Sequence, residues 1–155
     1  MAGEIYLTKD GRNKLIDELE RLEKRKPVIT EEIARAREHG DLKENAEYHA
    51  AKEPLTKLGK RIAELENKLS RSKLIEEQNI EKGKIFIGVT VTLLEVESGD
   101  KYDYTIVDIE EANLQENKIS VQSPMAQGLL GHKPGDVVKV SLPGGVLELK
   151  ILKIS

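Results

Sequence analysis

The sequence predicts an α+β protein: an N-terminal antiparallel two-helix coiled-coil hairpin, then a small antiparallel sheet domain with one short helix. Three observations carry this. Residues 1–78 hold 17 basic and 17 acidic side chains, whereas residues 79–155 hold 8 and 11. Apolar residues in the first half recur at alternating spacings of four and three, the seam of a coiled coil. In the second half the period falls to two and β-branched residues take over, the pattern of half-buried strands.

The first helix is read over residues 12–38. Its seam is Leu15, Leu19, Leu22, Lys26, Ile29, Ile33 and Ala36, with a lysine at one core position. The second is read over 44–75, with Tyr48, Ala51, Leu55, Leu58, Ile62, Leu65 and Leu69. If the helices run antiparallel, facing residues must have a constant sum of residue numbers. Ala36 with Tyr48, Ile33 with Ala51, Ile29 with Leu55, Lys26 with Leu58, Leu22 with Ile62, Leu19 with Leu65 and Leu15 with Leu69 all sum to 84. The turn is therefore centred near residue 42, where Gly40 and Asp41 supply a helix stop and a helix start. Helices of about 27–30 residues make a rod about 40–45 Å long. Pro27 and Pro54 fall at similar heights and predict a shared kink or local break.

Beyond a short polar boundary the strands are read at 85–96, 101–109, 118–122, 137–142 and 146–154. Ser98-Gly99-Asp100 and Pro143-Gly144-Gly145 are the hairpin turns, and residues 124–130 form the short helix. The domains are then 1–78 and 79–155.

Several function classes fall away. The chain of 155 residues has no cysteine, hence no disulfide framework, thiolate metal site or cysteine nucleophile. No apolar run approaches the length of a membrane span, and residues 1–5 do not open a secretory signal, so a cytoplasmic protein with no membrane partner is expected. A net charge of −3 argues against a general nucleic-acid binder but leaves room for local basic patches. No nucleotide-binding glycine loop, HExxH or Ser/His/Asp order is present.

The chemistry concentrates at the turn. Asp41 and Glu44 stand three residues apart at the end of the predicted rod. Two carboxylates are too few for an all-protein metal cage, but they suit Mg²⁺, which keeps waters and takes phosphate oxygens. The competing reading is a capping box, with Asp41 as N-cap and Glu44 at the third helical position.

Residues 40–53, GDLKENAEYHAAKE, closely resemble the tip signature of bacterial transcript-cleavage (Gre) factors of the GreA type. Tyr6-Leu7-Thr8 with Gly11 resembles the family's start. Ser123-Pro124-Met125-Ala126, then Leu129-Leu130-Gly131 and Gly135-Asp136, resembles its C-terminal motif. The resemblance covers nearly the whole chain. It implies that the sheet domain is FKBP-like and docks at the rim of the secondary channel of bacterial RNA polymerase. The rod would enter the channel and bring Asp41 and Glu44 to the polymerase active centre. There they would complete a Mg²⁺ site shared with the polymerase, none being held tightly by the free protein. Backtracked RNA is then cut near its 3′ end and arrested complexes are rescued. On this reading the chain is no enzyme alone, and its active form is a monomer.

Further residues carry two readings each. Asn45 and Tyr48 match family tip positions, while Tyr48 equally fits packing on Ala36. Arg21, Lys24, Arg25, Lys57, Lys60 and Arg61 converge midway along the rod, as an ion-pair face or as a contact for extruded RNA. Ser123, Pro124 and Met125 are polymerase-docking candidates, or an ordinary helix start with Ser123 as cap. His49 reads as a surface residue beside the tip. Two other function classes remain in view. One is a channel-binding paralogue that inhibits the polymerase, which Lys43 between the acids would favour. The other is a prolyl isomerase, disfavoured by the scarcity of aromatics in the second half.

Overall fold

Helix formers at the flanks and apolar residues on one stripe give two long helices, α1 (Lys9–Arg37) and α2 (Ala46–Arg71). In this computed structural model the described residues are 4–38, 46–78 and 83–155. The chain divides into two compact units. One is helical, comprising the described residues of Arg12–Ser72; the other joins residues 4–11 to the described residues of Lys73–Ser155. The first turn of α1 and residues 73–78 thus cluster with the sheet.

In the helical unit, α1 and α2 pair antiparallel. Ile29, Ile33 and Leu58 are buried together, with Leu22, Leu55 and Ile62 half-buried around them. Leu15 and Leu65 are also buried, and Leu19 and Leu69 are intermediate. Lys26, which the sum of 84 sets opposite Leu58, is exposed, whereas Leu58 is buried. The side chains of Ala36, Tyr48 and Ala51 lie outside the described residues.

Neither proline breaks its helix. α1 runs through Pro27 and α2 through Pro54. Each proline removes one amide donor, which leaves the carbonyls of Glu23 and Ala50 without that partner. Both residues are exposed, so water can take the place of the missing N–H. Beside each proline a threonine hydroxyl back-bonds the helix: Thr30 to the Lys26 carbonyl at 2.8 Å and Thr56 to the Lys52 carbonyl at 3.2 Å.

The second unit is built on five strands: β3 (Thr90–Glu95), β4 (Lys101–Val107), β5 (Lys118–Ser120), β6 (Val137–Leu142) and β7 (Gly145–Ile154). Their order is β5-β4-β3-β7-β6. Four are antiparallel, but the edge strand β5 runs parallel to β4, with Ile106 opposite Ile119. The intervening residues form two 3-10 turns, Ile109–Glu111 and Leu114–Glu116, long enough to carry the chain back for parallel pairing. The first predicted strand is shorter than the sequence suggested. Gly88 adopts φ 97°, a conformation other residues resist, and turns the chain before β3. Ile85 instead exchanges backbone hydrogen bonds with Gly131 and His132, at 2.9 and 2.8 Å.

Alternation sends Val91, Leu93, Ile106, Val138, Val140, Leu149 and Ile151 to one face. The short helix α3 (Pro124–Leu129) covers that face through Ala126 and Leu129. A two-stranded ribbon, β1 (Ile5–Leu7) with β2 (Ser72–Leu74), completes the elements.

Candidate functional site

The tip is bounded by the described helices. α1 ends at Arg37 and α2 begins at Ala46, so Asp41, Glu44 and Asn45 occupy the connection between two antiparallel helices. All three lie outside the described residues. Tyr48 lies in the first turn of α2, and His49 beside it is exposed. Asp41 and Glu44 offer hard carboxylate oxygens, a donor set that matches Mg²⁺ and leaves most of its shell to water, phosphate or a partner's carboxylates.

The basic residues divide into paired and open ones. Arg61 grips Glu18 across the two helices, Nε to Oε1 at 2.9 Å and Nη2 to Oε2 at 3.0 Å. Its Nη1 also lies 3.6 Å from Glu64. The Arg61 hydrogen bonds hold the Glu18 carboxyl below its ordinary range, with a smaller contribution from the charge of Arg21. Glu18 therefore ties α1 to α2 through Arg61. Lys57 pairs with Glu53 at 3.5 Å, both well exposed, a contact of little energy. Arg21, Lys24, Arg25 and Lys60 are exposed, and the i, i+3, i+4 spacing of the first three puts them on one helix face.

At the sheet unit's candidate, Ser123 has extended backbone and its hydroxyl accepts the Ala126 N–H at 3.2 Å. It is the N-cap of α3, with Pro124 at the first helical position. Pro124 is exposed, while Met125 packs half-buried on the core. Capping uses the Ser123 side chain and leaves Pro124 as the most open of the three.

Three carboxylates that sequence reasoning passed over prove structural. Glu18 grips Arg61 across the helices although the constant sum of 84 sets it opposite Glu66 instead, so the register does not point to this pair. Glu76 accepts the Lys9 N–H at 2.8 Å, and Glu111 accepts the Thr8 N–H at 3.0 Å and its hydroxyl. Thr8 in turn caps α1 by accepting the Gly11 N–H at 3.0 Å. Nothing local in sequence marks Glu76 or Glu111. Among the described residues no helix is long and apolar enough to cross a membrane.

Comparison with known proteins fits this layout. The family described as "Transcription elongation factor, N-terminal" matches residues 5–74, and "Transcription elongation factor, GreA/GreB, C-term" matches residues 80–155. Transcription elongation factor GreA of Vibrio vulnificus (strain CMCP6) is 46% identical over 148 residues, covering 95% of this chain and 94% of that relative. GreA of Chloroherpeton thalassium (strain ATCC 35110 / GB-78) is 41% identical over 155 residues, covering 99% and 98%. Among solved structures, the GreA factor homolog 1 (Gfh1) protein of Thermus thermophilus is 34% identical over 98% of this chain and 99% of its own, with a TM-score of 0.46. The chain belongs to the GreA/GreB family of transcription elongation factors.

Proposed function

We propose that the chain acts on bacterial RNA polymerase by placing Asp41 and Glu44 in the polymerase active centre, where they stimulate cleavage of backtracked RNA. The supporting observation is the position of these two carboxylates in the connection between two long antiparallel helices, within a chain that matches GreA relatives along its length. Mg²⁺ bound there would stabilise the attacking and leaving oxygens of the phosphodiester. The chain's own contribution is to supply two of the oxygen ligands and a hydrogen-bond acceptor for the water. Asn45 and Tyr48 support the pair from the same segment. The exposed cations Arg21, Lys24, Arg25 and Lys60, with the paired Lys57 and Arg61, face the extruded RNA 3′ end electrostatically. Ser123, Pro124 and Met125 belong to the docking surface for the polymerase. The chain performs no hydrolysis alone and binds as a monomer.

The test is a backtracked polymerase–RNA complex supplied with Mg²⁺ and the protein. Shortened transcripts are expected with the native chain and lost in Asp41→Ala and Glu44→Ala variants that keep their helical circular dichroism. Inhibited elongation without cleavage by the native chain would overturn this reading.

A further inference from the structure

The inner face of the sheet, which α3 covers in part, changes character at one end. Directly paired residues share a face, so its rows follow from strand register. Tyr104, Val91 and Ile154 form one row, and Tyr102, Leu93 and Ile151 the next. The row after that holds Glu95, Leu149 and Val138. The Glu95 N–H donates to the Asp100 carbonyl at 2.8 Å, which sets Asp100 across from Glu95 in that row. Among the charged residues of the five strands, Glu95 alone lies on this face, and every strand lysine lies on the other.

Tyr102 and Tyr104 stack, with ring centroids 6.1 Å apart and planes 16° from parallel. Tyr104 packs half-buried on the core, whereas Tyr102 is 36% exposed. Tyr102 thus ends the stack, and Glu95 and Asp100 follow it on the same face. The Glu95 Oε2 accepts the Ser98 hydroxyl at 2.8 Å and the Tyr102 hydroxyl at 3.3 Å. These donors hold the carboxylate in place without neutralising it. No cation pairs with Glu95 or Asp100 among the described residues. Desolvation first, and then the charges of Glu95 and Asp100, raise the Tyr102 phenol above its ordinary range. The ring therefore lies in a negative field.

We propose that this end of the inner face holds the guanidinium of an arginine presented by a protein partner. A guanidinium can lie flat on Tyr102 and continue the stack while its N–H groups reach Glu95 and Asp100. Lysine fits less well, because its ammonium is more strongly hydrated and has no plane to stack. A nucleic acid is a poorer fit again. Bases stack on tyrosine, but two carboxylates beside the ring repel phosphate. Tyrosine and arginine are enriched among the residues that carry interface energy. Leu142 and Leu147, half-buried along the same face, offer apolar surface to the segment that bears the arginine. One arginine alone gives a weak site, in the millimolar range.

The test titrates the full, isotope-labelled chain with a capped tetrapeptide carrying two central arginines, and with its lysine and leucine counterparts, read by NMR shifts. Shifts are expected at Glu95, Asp100 and Tyr102, with the arginine peptide binding about three- to fivefold tighter than the lysine one. Y102L erases that preference. E95Q/D100N weakens both cationic peptides about fivefold or more. The control D103N/E148Q, on the opposite face, stays within about twofold. Unchanged signals far from the site show that each variant is folded. Equal binding of the arginine and lysine peptides by the native chain would overturn the proposal. So would no shift at these residues at millimolar peptide, equal loss in the control, or tighter binding there of the leucine peptide or of an RNA oligonucleotide.

Discussion

The carboxylate of Glu111 receives both the backbone N–H of Thr8, at 3.0 Å, and the Thr8 hydroxyl, across 103 positions of sequence. The same carboxylate closes over Gly11: a Cβ built there would collide with Glu111 Cδ. Helix propensity alone would make Gly11→Ala stabilising by about 1 kcal/mol. Here the clash reverses the sign, and a loss of about 1–3 kcal/mol is expected. Glu111→Ala removes an acceptor from the first turn of α1 and costs about 1–3 kcal/mol. In the double variant the added methyl at position 11 no longer meets a carboxylate and its cost disappears. A double-mutant cycle by urea unfolding therefore shows coupling of at least about 1 kcal/mol. Additive losses would contradict this.

The Arg61–Glu18 pair predicts a pH dependence. Glu18 titrates below its usual value of 4.5 in the folded chain, so folding favours its ionised form. Its contribution is complete above that value and is lost as pH falls through it towards the lower folded pKa. Glu18→Gln should cost up to about 1 kcal/mol near neutrality. The gap between native and variant should be constant from about pH 6 to 8 and shrink below about pH 4.5. Denaturant unfolding at a series of pH values measures it.

The helical hairpin was legible because burial at a coiled-coil seam follows local periodicity. Leu15, Ile29, Ile33, Leu58 and Leu65 are buried where the heptad predicts. The sheet was legible where alternation is clean, as in Val137–Leu142. Its boundaries were not, because Ile85 and Ile87 are apolar and buried yet lie outside any strand. Burial alone does not distinguish a strand from a loop closed over the core. The parallel edge at β5 and the anchoring of Thr8 by Glu111 were equally hidden. Both depend on pairings far apart in sequence, for which periodicity carries no signal. The antiparallel pairing of the two helices was legible, whereas the local break read at Pro27 and Pro54 does not occur, since both helices run through. Proline costs an exposed helix one hydrogen bond, and a long packed helix can absorb that without breaking.

The heptad sets Lys26 at a seam position opposite Leu58, which is 6% exposed, while Lys26 itself is open to solvent. Replacing it with leucine should continue the apolar seam between Leu22 and Ile29. A gain of about 1–2 kcal/mol is expected, seen as a higher urea midpoint with unchanged helical signal. If Lys26→Leu instead promotes association in sedimentation, the added side chain faces out rather than into the pair.

The two readings of Asp41 and Glu44 make opposite predictions for conservative variants. Asparagine caps a helix as well as aspartate does, so Asp41→Asn preserves any capping role while removing the charge that a hard cation needs. If the pair serves as Mg²⁺ ligands in the polymerase complex, Asp41→Asn and Glu44→Gln leave the thermal midpoint of the free chain nearly unchanged. The Mg²⁺ concentration for half-maximal transcript cleavage then rises by about tenfold, since ligand charge sets affinity in such sites. Cleavage should fade as Mg²⁺ is withdrawn, and sooner for the variants than for the native chain. Had capping been the dominant role, Asp41→Asn would leave cleavage at low Mg²⁺ intact, and only Asp41→Ala would lower both stability and activity. Titrating Mg²⁺ against cleavage rate for the three proteins, alongside their melting curves, separates the two.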